Sequence, residues 1–110
     1  MELTLLLPTL MLDTVSGPVR DLNCNYNILL DQVISCEWKK PDQTYSPIQY
    51  YNVNVTHNGK ILLQNSVEAL KWEAKYNLTH NEIYTVSVGA MTNTEGTVVE
   101  TGVHFINSSV

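Results

Sequence analysis

The sequence predicts an all-β fold, a two-sheet sandwich of seven short strands. Three observations carry this. Apolar residues recur at every second position in several short runs, turn-forming residues separate those runs, and no window shows a 3.6-residue apolar period. Strands with one apolar face bury it only by packing sheet against sheet. A chain of 110 residues suffices for one such core and not for two.

The elements begin after Gly17. Leu22 and Cys24 alternate in a first strand. Ile34, Cys36 and Trp38 alternate in a second, which Pro41 stops. Tyr51, Val53 and Val55 mark a third. It ends at Asn58-Gly59, the pair that best tolerates positive φ in a hairpin turn. Ile61 to Gln64 pairs back as a short fourth. Leu70, Trp72, Ala74 and Tyr76 alternate with Lys71, Glu73, Lys75 and Asn77, the pattern of a half-buried fifth strand. Tyr84, Val86, Val88 and Ala90 form the sixth. Val98 to Phe105 is the seventh, with Gly102 read as a bulge.

Residues 1–16 stand apart from this pattern. Leu3 to Leu12 is an apolar run broken by Pro8, and Val15-Ser16-Gly17 supplies small residues of the kind a signal peptidase accepts. Glu2 precedes the run and no basic residue does, unlike most signal peptides. Two readings stay open: a leader, or a linker or artificial end. The domain is expected over 17–106, with 107–110 as a tail.

Composition narrows the function. With 44% apolar and 15% charged residues the chain is globular. A net charge of -5 and six scattered Lys and Arg residues offer no basic stripe for nucleic acid. No apolar run approaches the roughly 18 residues that would span a bilayer. His57, His80 and His104 are isolated and read as surface residues in turns or at strand ends. No HExxH motif, GxSxG elbow or phosphate-cradling glycine loop occurs. The expectation is no catalytic activity, no cofactor and no metal.

Cys24 and Cys36 are not at zinc-ligand spacing, which leaves a disulfide or two free buried thiols. Three N-x-[S/T] sequons, at Asn54, Asn77 and Asn107, favour an oxidising, secreted setting and mark three candidate glycosylation sites. Asn54 alternates with Val53 and Val55, so its side chain is expected to face solvent.

The segment from Leu78 to Gly96 sets the fold more narrowly. In sandwiches of this class a tyrosine near the start of the sixth strand turns its ring inward and bonds backbone upstream, pinning the crossing between sheets. Leu78 and Tyr84 have that spacing, with Thr79-His80-Asn81-Glu82 as the exposed corner. Together with Leu22, Trp38, Pro41, Pro47-Ile48, Tyr51, Val86, Val88, Ala90 and Gly96, they make Pro18 to Phe105 resemble a fibronectin type III domain. That resemblance implies a seven-stranded immunoglobulin-like sandwich, in which Leu22, Trp38, Tyr51, Trp72, Leu78 and Tyr84 are core.

The cysteines depart from the commonest form of that family. Cys24 and Cys36-Glu37-Trp38 are similar to the first cysteine pair of class I cytokine-receptor N-terminal domains, although the second pair and the WSxWS box are absent. A bridge between the first and second strands suits both. Counting in twos from Leu22 and Trp38 puts both cysteines on inward faces, so they are expected to be bonded.

The resemblance implies a non-catalytic extracellular or cell-surface module of a receptor or adhesion protein. It would bind a protein ligand or space neighbouring extracellular domains, meeting a membrane only through a span of the parent protein. The alternative is a cytokine-receptor-type ligand-binding domain or a small secreted decoy. The integrin-binding Arg-Gly-Asp tripeptide is absent from the tip before the seventh strand. The expected contacts are loop residues: Tyr45 and Met91 as apolar contacts, with Asp42 and Glu95 as a negative rim that favours a basic partner. Tyr50 and Ile83, outward on neighbouring strands, are the reserve candidates.

Overall fold

The computed structural model describes residues 17–42, 47–92 and 101–108. The strands are β1 Arg20–Tyr26, β2 Val33–Lys39, β3 Ile48–His57, β4 Lys60–Val67, β5 Lys71–Lys75, β6 Ile83–Thr92 and β7 Thr101–Asn107. They form two antiparallel sheets, ordered β1-β2-β5 and β4-β3-β6-β7. This is the immunoglobulin-like sandwich of the fibronectin type III kind.

The core lies between the sheets, where the inward positions of each strand meet. Ile34, Val53, Val55, Val86 and Val88 are fully buried, with Tyr51, Trp72, Leu78, Tyr84, Ala90 and Ile106 around them. Trp38 meets Tyr51 edge to face at 5.5 Å between ring centroids. Trp72 donates its indole N–H to Asn65 Oδ1 at 3.2 Å, tying β5 to β4 across the sandwich edge. Cys24 and Cys36 are bonded; they are direct cross-strand partners on β1 and β2, with Cα atoms 4.1 Å apart.

Leu22 packs against this core and is half-buried. It lies on an edge strand whose register shifts between Arg20 and Asn23, where Asp21 takes a φ of 53°.

Several boundaries differ from the sequence reading. β4 runs on to Val67 because its backbone pairs with β3 along its whole length, from His57↔Lys60 to Tyr51↔Val67. β5 begins at Lys71, after an exposed Leu70 whose carbonyl accepts the Trp38 N–H. Residues 98–100 of the expected seventh strand lie outside the described residues. At the other end β7 continues past Phe105 through Asn107, and Ser108 is buried.

Gly102 is not a bulge. It pairs in register with Val88, and a Cβ there would stand 2.6 Å from Val19 Cγ2 and 3.1 Å from the Val19 carbonyl oxygen. Its missing side chain is what lets the segment leading into β1 approach β7 across the open side of the sandwich.

The crossing from β5 to β6 is held by three hydroxyl groups. Tyr84 Oη accepts the Thr79 N–H at 2.8 Å. Tyr26 Oη donates to the Tyr76 carbonyl at 2.9 Å and accepts the Leu78 N–H at 3.0 Å. Ser108 Oγ accepts the Glu82 N–H at 3.0 Å, and its single proton is shared between the Thr79 and Glu82 carbonyls. Leu78 is buried beneath this corner.

Candidate partner-binding ends of the sandwich

Antiparallel pairing sorts the connections between two ends. Ile48 opposes Thr92 and Tyr50 opposes Met91, so the β2–β3 and β6–β7 connections leave from one end, called here the upper end. At the lower end lie the β1–β2 and β3–β4 turns, the β5–β6 crossing and the close of β7. The Asn58-Gly59 turn there takes φ values of 51° and 78°, the positive angles expected of that pair.

The upper end holds two of the four expected contact residues within the described chain. Met91 is half-buried and opposes the half-buried Tyr50 on the outward face. Asp42 is exposed, and its Oδ1 stands 3.0 Å from Arg20 Nε, which also donates to the Lys40 carbonyl. Lys39 and Asp21 form a second exposed ion pair beside it. The rim around Asp42 is therefore mixed in charge, not uniformly negative, because β1 brings Arg20 alongside the end of β2. Tyr45 and Glu95 lie outside the described residues. A shallow open groove lined by Asp21, Glu37, Lys39, Leu70 and Lys71 borders this end and repeats the mixed charge.

Tyr50 and Ile83 do not form the outward pair expected of them. Their strands are neighbours but antiparallel, so Tyr50 opposes Met91 near the upper end while Ile83 opposes Asn107 near the lower.

The lower end carries features that alternation did not reveal. Leu29 and Leu30 are 68% and 78% exposed at the tip of the β1–β2 turn. Asn27 Oδ1 accepts both of their backbone N–H groups, fixing the turn that holds the two side chains outward. Asn27 before Leu29-Leu30-Asp31 was the available sequence signal.

The histidines are not uniformly surface residues. His57 is half-buried with its ring 4.7 Å from that of Tyr84. Its Nδ1 donates to the Ile83 carbonyl and its Nε2 accepts from Asn58 Nδ2, which assigns the tautomer. His104 is half-buried in mid-β7 opposite Val86, because its position in the alternation is inward. His80 is exposed in the crossing. Among the described residues no group of three or more His, Cys, Asp and Glu could hold a metal ion, and no helix is long and apolar enough to cross a membrane.

The three sequon asparagines differ in setting. Asn77 and Asn107 are exposed. Asn54 faces outward as its alternation requires but is half-buried, with an amide oxygen that is buried and has no hydrogen-bond partner.

No family model matches this chain, and no curated protein is significantly similar to it in sequence. Among solved structures, it is similar to the rat CD45 extracellular region, domains d3–d4, with a TM-score of 0.66 and 15% sequence identity. The likeness covers 84% of this chain and 50% of that one, so this chain spans half the length of its structural neighbour. At that identity the likeness is one of fold.

Proposed function

We propose that this chain is a non-catalytic extracellular module that binds a protein partner through its upper end. The observation that carries the reading is the Ile48↔Thr92 pairing, which makes the β2–β3 and β6–β7 connections leave side by side. Polar connections that depart from neighbouring strand ends of a sandwich can vary in sequence without cost to the core, which suits recognition. The extracellular setting is supported by the Cys24–Cys36 bond, which persists where thiols oxidise, and by a structural neighbour from a receptor's extracellular region. A module of this size buries a small interface and gains strength through tandem copies.

The test is a pull-down from extracellular proteins with the wild type and with Tyr45→Ala combined with Glu95→Lys. A partner held by the wild type and lost by the variant supports the reading. Equal capture by both overturns the assignment to the upper end.

A second reading, contact with a neighbouring module, rests on Leu29 and Leu30. They stand exposed at the end of the sandwich where β7 finishes. In a tandem fragment of the parent protein, Leu29→Ser with Leu30→Ser should separate the melting of the two modules. Unchanged melting would remove this reading.

A further inference from the structure

The outward face of the four-stranded sheet carries an apolar patch that the upper-end reading does not use. Ile83, Val103 and Phe105 are 59%, 50% and 65% exposed. The register brings them together: Ile83 opposes Asn107, Thr85 opposes Phe105, and Ser87 opposes Val103. Ile83 and Phe105 are thus diagonal neighbours, within reach of each other on one face. Val103, Phe105 and Asn107 stand two residues apart along β7, and all three point the same way.

Asn107 closes this patch, and Ser109 completes its sequon in the sequence. Two residues of strand are about 6.6 Å, close to the span of one pyranose ring. A sugar bonded to Asn107 therefore has an aromatic ring one sugar-length back along its own strand and an aliphatic side chain directly across. The hexopyranose of N-acetylglucosamine has one face made of C–H bonds, which packs on an aromatic ring and removes apolar surface from water on both sides. The other two sequons lack such a platform among the described residues. Asn54 has Gln64 and Ser87 as its cross-strand partners and Asn52 and Thr56 along its own strand. Asn77 lies in the crossing, outside any strand.

We propose that Asn107 is N-glycosylated and that its first sugar lies on Phe105, flanked by Ile83, so that the glycan covers this patch. Attachment follows the usual chemistry. The Asn107 amide nitrogen displaces a lipid-linked diphosphate from the anomeric carbon of an oligosaccharide donor, one C–N bond forms, and one N–H proton is lost. The covered face is then closed to protein partners, which leaves the ends of the sandwich for recognition. This inference rests on the extracellular reading, because only secretory routing supplies the donor.

The experiment uses protein secreted from a glycosylating eukaryotic host, with glycans trimmed to the first N-acetylglucosamine. Peptide mapping reads occupancy at each sequon, and urea unfolding compares the wild type with Ser109→Ala, which removes the sequon and keeps Asn107. The expected result is an occupied Asn107, a higher urea midpoint for the wild type than for Ser109→Ala, and loss of that difference when both carry Phe105→Thr. An upfield ring-current shift of the sugar's N-acetyl methyl, absent in Phe105→Thr, would place the ring beneath the sugar. An occupied Asn77 with an empty Asn107 overturns this inference alone, whereas three empty sequons overturn the extracellular reading with it. An occupied Asn107 whose stabilisation survives Phe105→Thr also overturns the platform. Concentration-dependent self-association of the wild type that Phe105→Thr abolishes would assign the patch to a second copy instead.

Discussion

At the crossing between β5 and β6, three hydroxyl groups add to two backbone bonds, from the Tyr76 N–H to the Gln32 carbonyl and from the Ser108 N–H to the Glu82 carbonyl. Tyr84 accepts the Thr79 N–H, Tyr26 bridges the Tyr76 carbonyl and the Leu78 N–H, and Ser108 reaches the Thr79 carbonyl and Glu82. Tyr84→Phe keeps the ring but strands the Thr79 N–H, and should cost about 1–3 kcal/mol, read as a lower urea midpoint. Ser108→Ala should cost a similar amount. Because both hydroxyls bind Thr79, the double variant should fall short of the sum of the two costs, and strict additivity would show that they act separately. A further residue-scale expectation concerns Tyr51, whose phenol burial holds above its ordinary pKa of 10.0. A group raised on folding stabilises the fold below its unfolded pKa and loses that contribution as pH climbs through the folded value. Stability should therefore fall above pH 10.0, less steeply in Tyr51→Phe, as followed by tyrosine absorbance and unfolding midpoints. Tyr84 could be read from the sequence because its spacing from Leu78 is distinctive. Tyr26 continues the Leu22, Cys24 alternation, but nothing local says that its hydroxyl meets residue 76. Ser108 gave no signal, since a small polar residue gains its role only from the carbonyls that the fold brings to it.

At the scale of the strand, alternation located β1, β2, β3, β5 and β6, the Asn58-Gly59 turn implied β4, and pairing partners then decided how far each one runs. The second, third and sixth strands alternate plainly and appear where expected, whereas β4 extends past Gln64 through Asn65 and Ser66, which carry no apolar signal. Their backbone groups pair with β3, and Ser66 Oγ donates to Asn52 Oδ1 at 2.9 Å. The same limit explains Gly102: a glycine inside a strand suggests a bulge, and only the opposite sheet shows that it is a point of close approach. Gly102→Ala should destabilise the domain by about 1–3 kcal/mol through overpacking against Val19. Val19→Ala combined with Gly102→Ala should recover part of that loss in urea unfolding, and no recovery would mean that the backbone contact at the Val19 carbonyl dominates. The contact residues were harder to read than the strands, because which end a loop occupies follows from topology. Asp42 belonged to the expected negative rim, yet Arg20 comes to it from β1, a strand earlier in the chain.

For the whole molecule, the Cys24–Cys36 bond joins an edge strand to the centre of its three-stranded sheet. Closing so short a loop should stabilise the fold by about 3 kcal/mol through the unfolded chain. Reduction should add two hydrogens to the intact mass and lower the urea midpoint, and two thiols alkylated before reduction would contradict the bond. The bond also sets how far the molecule can be drawn out under load. A sequence separation of 12 residues is shunted across a Cα–Cα distance of 4.1 Å. Stretched by its two ends, the unravelled chain stops about 40 Å short of its reduced length. Single-molecule pulling with and without reductant would measure that missing length. In a string of such modules it would act as a molecular stop: tension passes across the bridge and never enters the turn between β1 and β2, so Leu29 and Leu30 are not pulled apart even when the rest of the sandwich has given way.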